Sequence, residues 1–263
     1  MSAATFTILG SGAGPGAPSF FCDCPGCREA RQTPQAARTR SGALLTTAEN
    51  SVLIDAPPDL RQQLVREQIQ RVDALFLTHW HYDHFGGIGE LEYYVKLQRK
   101  RPLDLYLPPA ALEPFQQAFP SLAEIFTVQA WTFFQPYLID GISITPLPAR
   151  HSVETAGFLF SSPDCRLAYF PDTAGLPEET MPQVAGVTYL ICDATFVGEN
   201  WFPHSHMSLD EAISLGAAVK AETTVLTHLS IHYSRAVTSS DLQQLTAGAP
   251  DVRVAHDGMT LTL

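Results

Sequence analysis

The run His79-Trp80-His81-Tyr82-Asp83-His84 constrains this chain more than any other feature. It directly follows the apolar stretch ALFLT, which reads as a buried strand. Three imidazoles and a carboxylate therefore stand in one loop at the end of a core strand. Side chains at i and i+2 of an extended segment point the same way, so His79 and His81 can converge on one ion. Asp83 and His84 lie past a turn and can face a second ion beside it. Gly86 and Gly87 follow and are expected to let the backbone turn sharply. Imidazole together with carboxylate suits zinc, manganese or iron.

Around this loop the segments alternate in type. Strands are expected at Phe6–Leu9, Ser51–Asp55, Ala74–Leu77, Leu105–Leu107, Ile142–Leu147, Phe158–Phe160, Arg166–Phe170, Tyr189–Cys192, Thr224–Leu226 and Val252–Ala255. Asp59 is placed to cap a helix whose Leu60, Leu64, Val65 and Ile69 fall near one face. Further helices are expected at Ala111–Phe119 and Ser208–Lys220, the latter opened by Ser208 and Glu211 as a capping box. Interleaved strands and helices make a layered α/β fold, here one domain over residues 1–263. The turn Gly10-Ser11-Gly12-Ala13-Gly14 is interrupted by Pro15 and Pro18 before any helix could start. It reads as a tight turn and not as a dinucleotide loop, which needs a helix N-terminus there.

Composition narrows the partners. The formal net charge of −11 repels nucleic-acid backbones. The one dense basic run, Lys96 to Arg101, reads as a solvated helix end. No apolar stretch approaches the length of about 18 residues that a spanning helix needs. The first residues lack a basic segment ahead of their short apolar run, so no secretory signal is expected. A cytoplasmic location follows as the expectation. There, clustered cysteines more often bind metal than pair with one another. Neither a nucleic acid nor a membrane is an expected partner, and a homodimer is compatible with everything above.

The segment THWHYDHFGG resembles the HxHxDH signature of the metallo-β-lactamase superfamily. That resemblance implies a four-layer αββα sandwich with metals at one edge of its two sheets. It also implies the remaining ligands. His151 would complete the first site with His79 and His81. Asp172 would bridge both ions as the catalytic carboxylate, and His228 would join Asp83 and His84 at the second. Asp55, ending the SVLID strand, would support the histidine loop by hydrogen bonds, as groups behind metal ligands do.

Cys22-Asp23-Cys24-Pro25-Gly26-Cys27 offers three thiolates in a short span, with Pro25 and Gly26 shaping a turn. A closed zinc site wants a fourth donor. Cys165 and Cys192 sit in or beside apolar strands and read as core residues. With the glycine-rich start and the arginine-rich stretch after it, this run resembles the subgroup of the phosphodiesterase of the carbon–phosphorus lyase pathway. There a histidine just beyond the last catalytic histidine closes a structural zinc site. His232 is its counterpart here, one residue farther on than in the family pattern. The group of the PQQ-biosynthesis protein B shares the cysteine run but generally lacks an intact HxHxDH.

The resemblance implies two catalytic divalent metals, zinc or manganese with iron a third choice, and one structural zinc. It also implies hydrolysis of a small phosphodiester, open or cyclic, by a hydroxide held between the two ions, which would lie about 3.5–4 Å apart. His206, at the start of the capped helix, matches a family histidine that contacts the phosphate and is placed to donate a proton, with His204 as its rival. The alternatives are ester, thioester or lactam hydrolysis on the same metals, a PQQ-pathway oxidoreductase, and a tRNA-processing nuclease. The acidic charge and the lack of an inserted basic arm count against the last.

Overall fold

The structure is a computed structural model that describes residues 4–263. Strands, numbered in chain order, form two seven-stranded sheets. The first runs β14 (Met259–Thr262), β1 (Thr5–Gly10), β2 (Gly42–Thr46), β3 (Ser51–Ile54), β4 (Ala74–Phe76), β5 (Leu103–Leu107), β6 (Phe126–Ala130). The second runs β13 (Val252–Val254), β12 (Thr223–Thr227), β11 (Tyr189–Asp193), β10 (Arg166–Phe170), β9 (Ala156–Ser161), β8 (Ile142–Pro148), β7 (Tyr137–Ile139).

Alternation along the strands sorts their side chains into three apolar layers. In β3, Val52 and Ile54 point between the sheets while Leu53 points outward. In β10, Leu167 and Tyr169 point inward while Ala168 and Phe170 point outward. Both faces of these two strands are thus apolar, as in sheets covered on both sides. Phe6, Phe76, Phe158 and Phe160 fill the space between the sheets. Each large apolar side chain buried there contributes about 1.5–3 kcal/mol of transfer free energy before entropy is subtracted.

Helices cover the outer faces. α2 (Leu60–Arg66), α4 (Leu91–Tyr93) and α5 (Leu112–Ala118) lay Leu60, Leu91 and Phe115 on the first sheet. α1 (Pro25–Gln32), α6 (Leu209–Val219) and α7 (Ser239–Thr246) lay Ala30, Leu209, Ala212 and Leu242 on the second. A single turn, α3 (Tyr82–Phe85), carries part of the histidine loop. The expected four-layer αββα sandwich is the fold. Among the described residues, no helix is long and apolar enough to cross a membrane.

Several local expectations need correction. Asp59 occupies the N-cap position of α2 but has helical φ and ψ and makes no capping bond. Its carboxylate instead accepts Arg40 N at 2.9 Å and pairs with the Arg40 guanidinium at 3.1 Å. Val65, expected on the apolar face, is 67% exposed. Gly86 has ordinary helical angles, φ −61° and ψ −15°, so it makes no special turn. What Gly87 supplies is close approach: a Cβ there would lie 2.0 Å from the Pro57 carbonyl oxygen. The basic run, by contrast, is the solvated helix end expected: it closes a π-helical turn, Tyr94–Arg99, with Lys96, Lys100 and Arg101 exposed. Lys96 pairs with Glu92 at 2.7 Å and Arg99 with the buried Asp73 at 3.0 Å.

Candidate metal centre

Topology brings the candidate ligands to one edge. β10, β11 and β12 are mutually parallel, and β8 and β10 each run antiparallel to β9. The C-terminal ends of β8, β10, β11 and β12 therefore open on the same side, where Asp193 ends β11 and His151, Asp172 and His228 follow the other three. In the facing sheet, β3 and β4 are parallel and deliver Asp55 and the His79 loop. The two sheets are tied beside the site where Ala156 N, on β9, donates to Thr78 O, just past β4, at 3.0 Å. On the first sheet's side, Trp131 Nε1, just past β6, donates to Leu77 O at 2.8 Å.

The first donor group is His79, His81, His151 and Asp172, whose ligand atoms lie within 4.8 Å of one another. His81 Nδ1 lies 3.0 Å from His79 Nε2 and 3.1 Å from His151 Nε2. The outer nitrogens of the last two rings are already engaged. His151 Nδ1 donates to Ser205 O at 2.7 Å. Thr78 Oγ1 donates to Asp55 and so accepts from His79 Nδ1 at 2.9 Å. His79 Nε2 and His151 Nε2 thus turn lone pairs toward the same ring nitrogen of His81. Burial pushes the His79 imidazole well below its ordinary value, and burial together with neighbouring imidazoles pushes His81 and His151 down. Neutral imidazoles converging in this way are a donor set for a cation.

The second group is Asp83, His84 and His228. Asp55 Oδ2 accepts from His84 Nδ1 at 2.7 Å, and Thr195 Oγ1 lies 2.9 Å from His228 Nδ1 while donating to His228 O. The opposite nitrogens, His84 Nε2 and His228 Nε2, are buried and have no hydrogen-bond partner among the described residues. Such orphaned atoms are costly unless something binds them. Asp172 Oδ2 stands between the groups, 3.4 Å from His79 Nε2, 3.5 Å from His84 Nε2 and 3.7 Å from His228 Nε2. Burial would raise the Asp172 carboxyl, but His228, His206, His79 and His84 hold it well below its usual range. Burial likewise opposes Asp83, where His84 and His228 prevail and lower it. The sequence-predicted donors are thus brought together in two adjacent groups, and both groups fit divalent ions.

Two residues of the site have left-handed backbones, Asp55 at φ 65° and His228 at φ 54°. Conformations of this kind are costly away from glycine and persist where surroundings over-determine them. The glycine-rich turn runs alongside. Gly12 bridges to Arg40 and Leu229, and a Cβ on Gly14 would lie 3.1 Å from Asp83 Oδ2. This segment is a close-packed strip under the site as much as a turn.

His206 lies beside these groups. Its Nδ1 is 2.9 Å from Asp172 Oδ1 and 3.0 Å from Asp193 Oδ2. Burial opposes its protonation, yet the two carboxylates raise it to about 10. His204 is exposed and does not line the cavity. Sequence reasoning missed Asp193, which is fully buried at the end of β11 and accepts Thr195 N at 2.9 Å and Met207 N at 3.1 Å. The available signal was an aspartate ending an apolar strand, the same pattern that singled out Asp55. A cavity of about 310 Å³ opens over both donor groups, lined by His81, Asp83, Asp172, His206, His228 and the aromatic residues Phe196, Phe202 and Tyr233.

The cysteine run is a helix entry and not a turn. Pro25 starts α1, Gly26 packs within it, and Cys24 is the N-cap, its Sγ accepting Cys27 N at 3.4 Å. Cys22, Cys27 and His232 offer donor atoms within 4.8 Å of one another, a set that Cys24 does not join. His232 Nδ1 lies 3.5 Å from Cys27 Sγ. Burial lowers His232 and pushes the Cys27 thiol up to about 11. Cys165 and Cys192 are buried core residues, as expected.

Comparison with known proteins agrees with this geometry. The model of the beta-lactamase superfamily domain matches residues 50–229. Coenzyme PQQ synthesis protein B of Methylobacterium radiotolerans is 26% identical over 97% of this chain and 99% of its own length. An octanoyltransferase of Porphyromonas gingivalis is 26% identical over 86% of this chain, which spans 46% of that protein. Among solved structures, a diphosphatase described as a new member of the PhnP family superposes with a TM-score of 0.86 at 27% identity, covering 99% of this chain and 98% of that one. Zinc-bound PqqB from Methylobacterium extorquens has the same fold, with a TM-score of 0.81 at 23% identity over 98% of this chain and 100% of that one. With its family model matched across the histidine loop and the three later ligand strands, the chain belongs to the metallo-β-lactamase superfamily, whose fold supports metal-dependent hydrolysis.

Proposed function

We propose that this chain is a metal-dependent phosphodiesterase acting on a small, open or cyclic, phosphodiester. The observation that carries the reading is the placement of His206. Its Nδ1 donates to Asp193 Oδ2 at 3.0 Å and lies 2.9 Å from Asp172 Oδ1, which leaves Nε2 as the other edge of a ring lining the cavity beside both donor groups. A donor held there suits an anionic phosphoryl group and a departing alkoxide. Likeness to the PhnP-family diphosphatase supports the same class of chemistry.

In this reading His79, His81 and His151 would hold one divalent ion and Asp83, His84 and His228 a second, with Asp172 a donor placed between the two groups. Zinc, manganese or iron bound there would supply Lewis acidity toward a phosphoryl oxygen and an activated water. Asp55, through His84, and Thr195, through His228, fix which ring nitrogen faces the site. His206 contacts the phosphoryl group and carries at Nε2 the proton the leaving group needs. Cys22, Cys27 and His232, with Cys24 as fourth donor, hold a structural zinc apart from the reaction.

Sequence likeness to coenzyme PQQ synthesis protein B over nearly the whole chain favours a second reading, a role like that protein's. Protein loaded with zinc or manganese, assayed on bis(p-nitrophenyl) phosphate, p-nitrophenyl acetate and a thioester, separates the hydrolytic classes. The diester is the expected substrate, and no turnover of it would overturn the proposal. Asp172→Ala should lose catalytic metal and activity together. His206→Ala should lower kcat by about 10²-fold with metal content intact, and loss of metal would move His206 among the ligands.

A further inference from the structure

Trp201 and Phe202 are 50% and 59% exposed, on the loop that carries His206. Leaving two adjacent aromatic rings in water is unfavourable and marks a contact surface. Their backbone is held firmly. Ser205 N and His206 N both donate to Phe202 O at 2.9 Å. Asn200 Oδ1 accepts Phe202 N at 3.0 Å, while Asn200 Nδ2 donates to His206 O at 2.8 Å and to Glu211 at 3.0 Å. The rings are therefore presented on a fixed loop, which lowers the ordering cost of a contact.

They belong to a continuous aromatic wall. The buried Phe196 ring lies 6.0 Å from Phe202, 6.1 Å from Trp201 and 6.1 Å from His206. Trp201 lies 5.9 Å from Tyr233, whose other side packs edge-on against His232 at 4.7 Å. Phe196, Phe202 and Tyr233 all line the cavity over the donor groups. Among the described residues, no lysine or arginine lines it. The charge of a phosphoryl group would be met at the floor. The remaining wall offers no cation to a second anionic group and a π surface to a flat one.

We propose that Phe202 and Tyr233, backed by Phe196 and Trp201, form a subsite for a planar aromatic or heteroaromatic substituent on the phosphorus ester. The subsite rests on reading this cavity as the phosphodiester site, and it makes Phe202 and Tyr233 specificity residues. Stacking on a preformed aromatic surface is expected to change affinity by about tenfold.

The test is equilibrium binding by calorimetry to metal-loaded protein, with methylphosphonate, phenylphosphonate and cyclohexylphosphonate as probes that share one head group and are not hydrolysed. Phenylphosphonate should bind about tenfold tighter than methylphosphonate and clearly tighter than cyclohexylphosphonate. Phe202→Leu and Tyr233→Leu should each pull the phenyl-to-methyl ratio toward one, and Tyr233→Phe should keep it. Equal affinity for phenyl and methyl probes in the unaltered protein overturns the subsite, whether or not any variant folds. Equal affinity for phenyl and cyclohexyl probes overturns its planar selectivity. A ratio unmoved by both leucine variants overturns the assignment of these residues. Failure of all three probes to bind removes the phosphodiester reading itself and the subsite with it.

Discussion

Asp55 Oδ2 lies 2.7 Å from His84 Nδ1, with both side chains fully buried and Asp55 held at φ 65°. The same carboxylate accepts Thr78 N at 2.8 Å through Oδ1 and takes the Thr78 hydroxyl through both oxygens. One side chain thus fixes Thr78, at the start of the histidine loop, and the ring orientation of a proposed ligand six residues past it. Burial would lower the His84 imidazole, but Asp55 and Asp83 raise it well above its ordinary value.

Asp55→Asn is the informative replacement, because asparagine tolerates the left-handed backbone while removing the charge. Groups behind metal ligands typically account for about 10- to 100-fold in affinity. Calorimetric titration of metal-free protein with zinc should show a loss of that size at one class of site. Unchanged affinity would mean that Asp55 only stabilises the loop.

Gly87→Ala tests the packing beneath the site. The added methyl would lie 2.0 Å from the Pro57 carbonyl oxygen, and that backbone is held by Leu60 N donating to the same oxygen and by Gly87 N donating to Ala56 O. The segment must shift, at a cost of about 1–3 kcal/mol for overpacking. The midpoint of thermal or urea unfolding should fall accordingly, with catalytic metal bound more weakly because Asp55 adjoins the displaced segment. A midpoint equal to that of the unaltered protein would show the strip to be pliable.

Much of this was legible in the sequence, and what was missed shares a physical cause. Strands with uniform apolar runs, such as Tyr189–Asp193 and Arg166–Phe170, were visible because both their faces are buried. β2 escaped notice because Gly42 and Ala43 give little pattern, and β14 because Met259–Thr262 is short and mostly polar. α1 was hidden by its cysteines, whose spacing reads as a metal turn although Cys24 also serves as a cap. Asp59 has the chemistry of a cap, but Arg40, distant in sequence, takes its carboxylate. Asp193 ends an apolar strand as Asp55 does, but its role shows only in the partners that folding brings to it: Thr195, His206 and Met207. Local pattern thus located the ligands, while the residues that hold them depended on long-range contacts.

The capping box on α6 gives a pH dependence. Burial would raise the Glu211 carboxyl, but Ser208 N, at 2.7 Å from its Oε2, and Asn200 hold it below the usual value. A depressed folded value means that the stabilisation is present above the unfolded value of about 4.3 and is lost as pH falls through the folded one. Glu211→Gln should therefore lower the unfolding midpoint at neutral pH, and the gap to the unaltered protein should narrow below about pH 4. A gap independent of pH would assign the effect to shape and not to charge. The group is substantially exposed, so screening keeps the effect small.

Cys24 separates capping from coordination. Its Sγ accepts Cys27 N at 3.4 Å as the N-cap of α1, while the group of mutually close donors is Cys22, Cys27 and His232. Serine is a favoured N-cap, so Cys24→Ser retains that role and removes only the thiolate. A closed zinc site wants four donors, and zinc held there stabilises the folded chain because the unfolded chain lacks the assembled site. Cys24→Ser, Cys22→Ser and His232→Ala should therefore each lose about one zinc per chain by elemental analysis and melt at lower temperature. The remaining folded protein should keep its catalytic metals, because no donor of the cysteine group belongs to either histidine group. Zinc retained in Cys24→Ser but lost in Cys22→Ser would restrict Cys24 to the cap. Zinc retained in all three variants would remove the structural-zinc proposal.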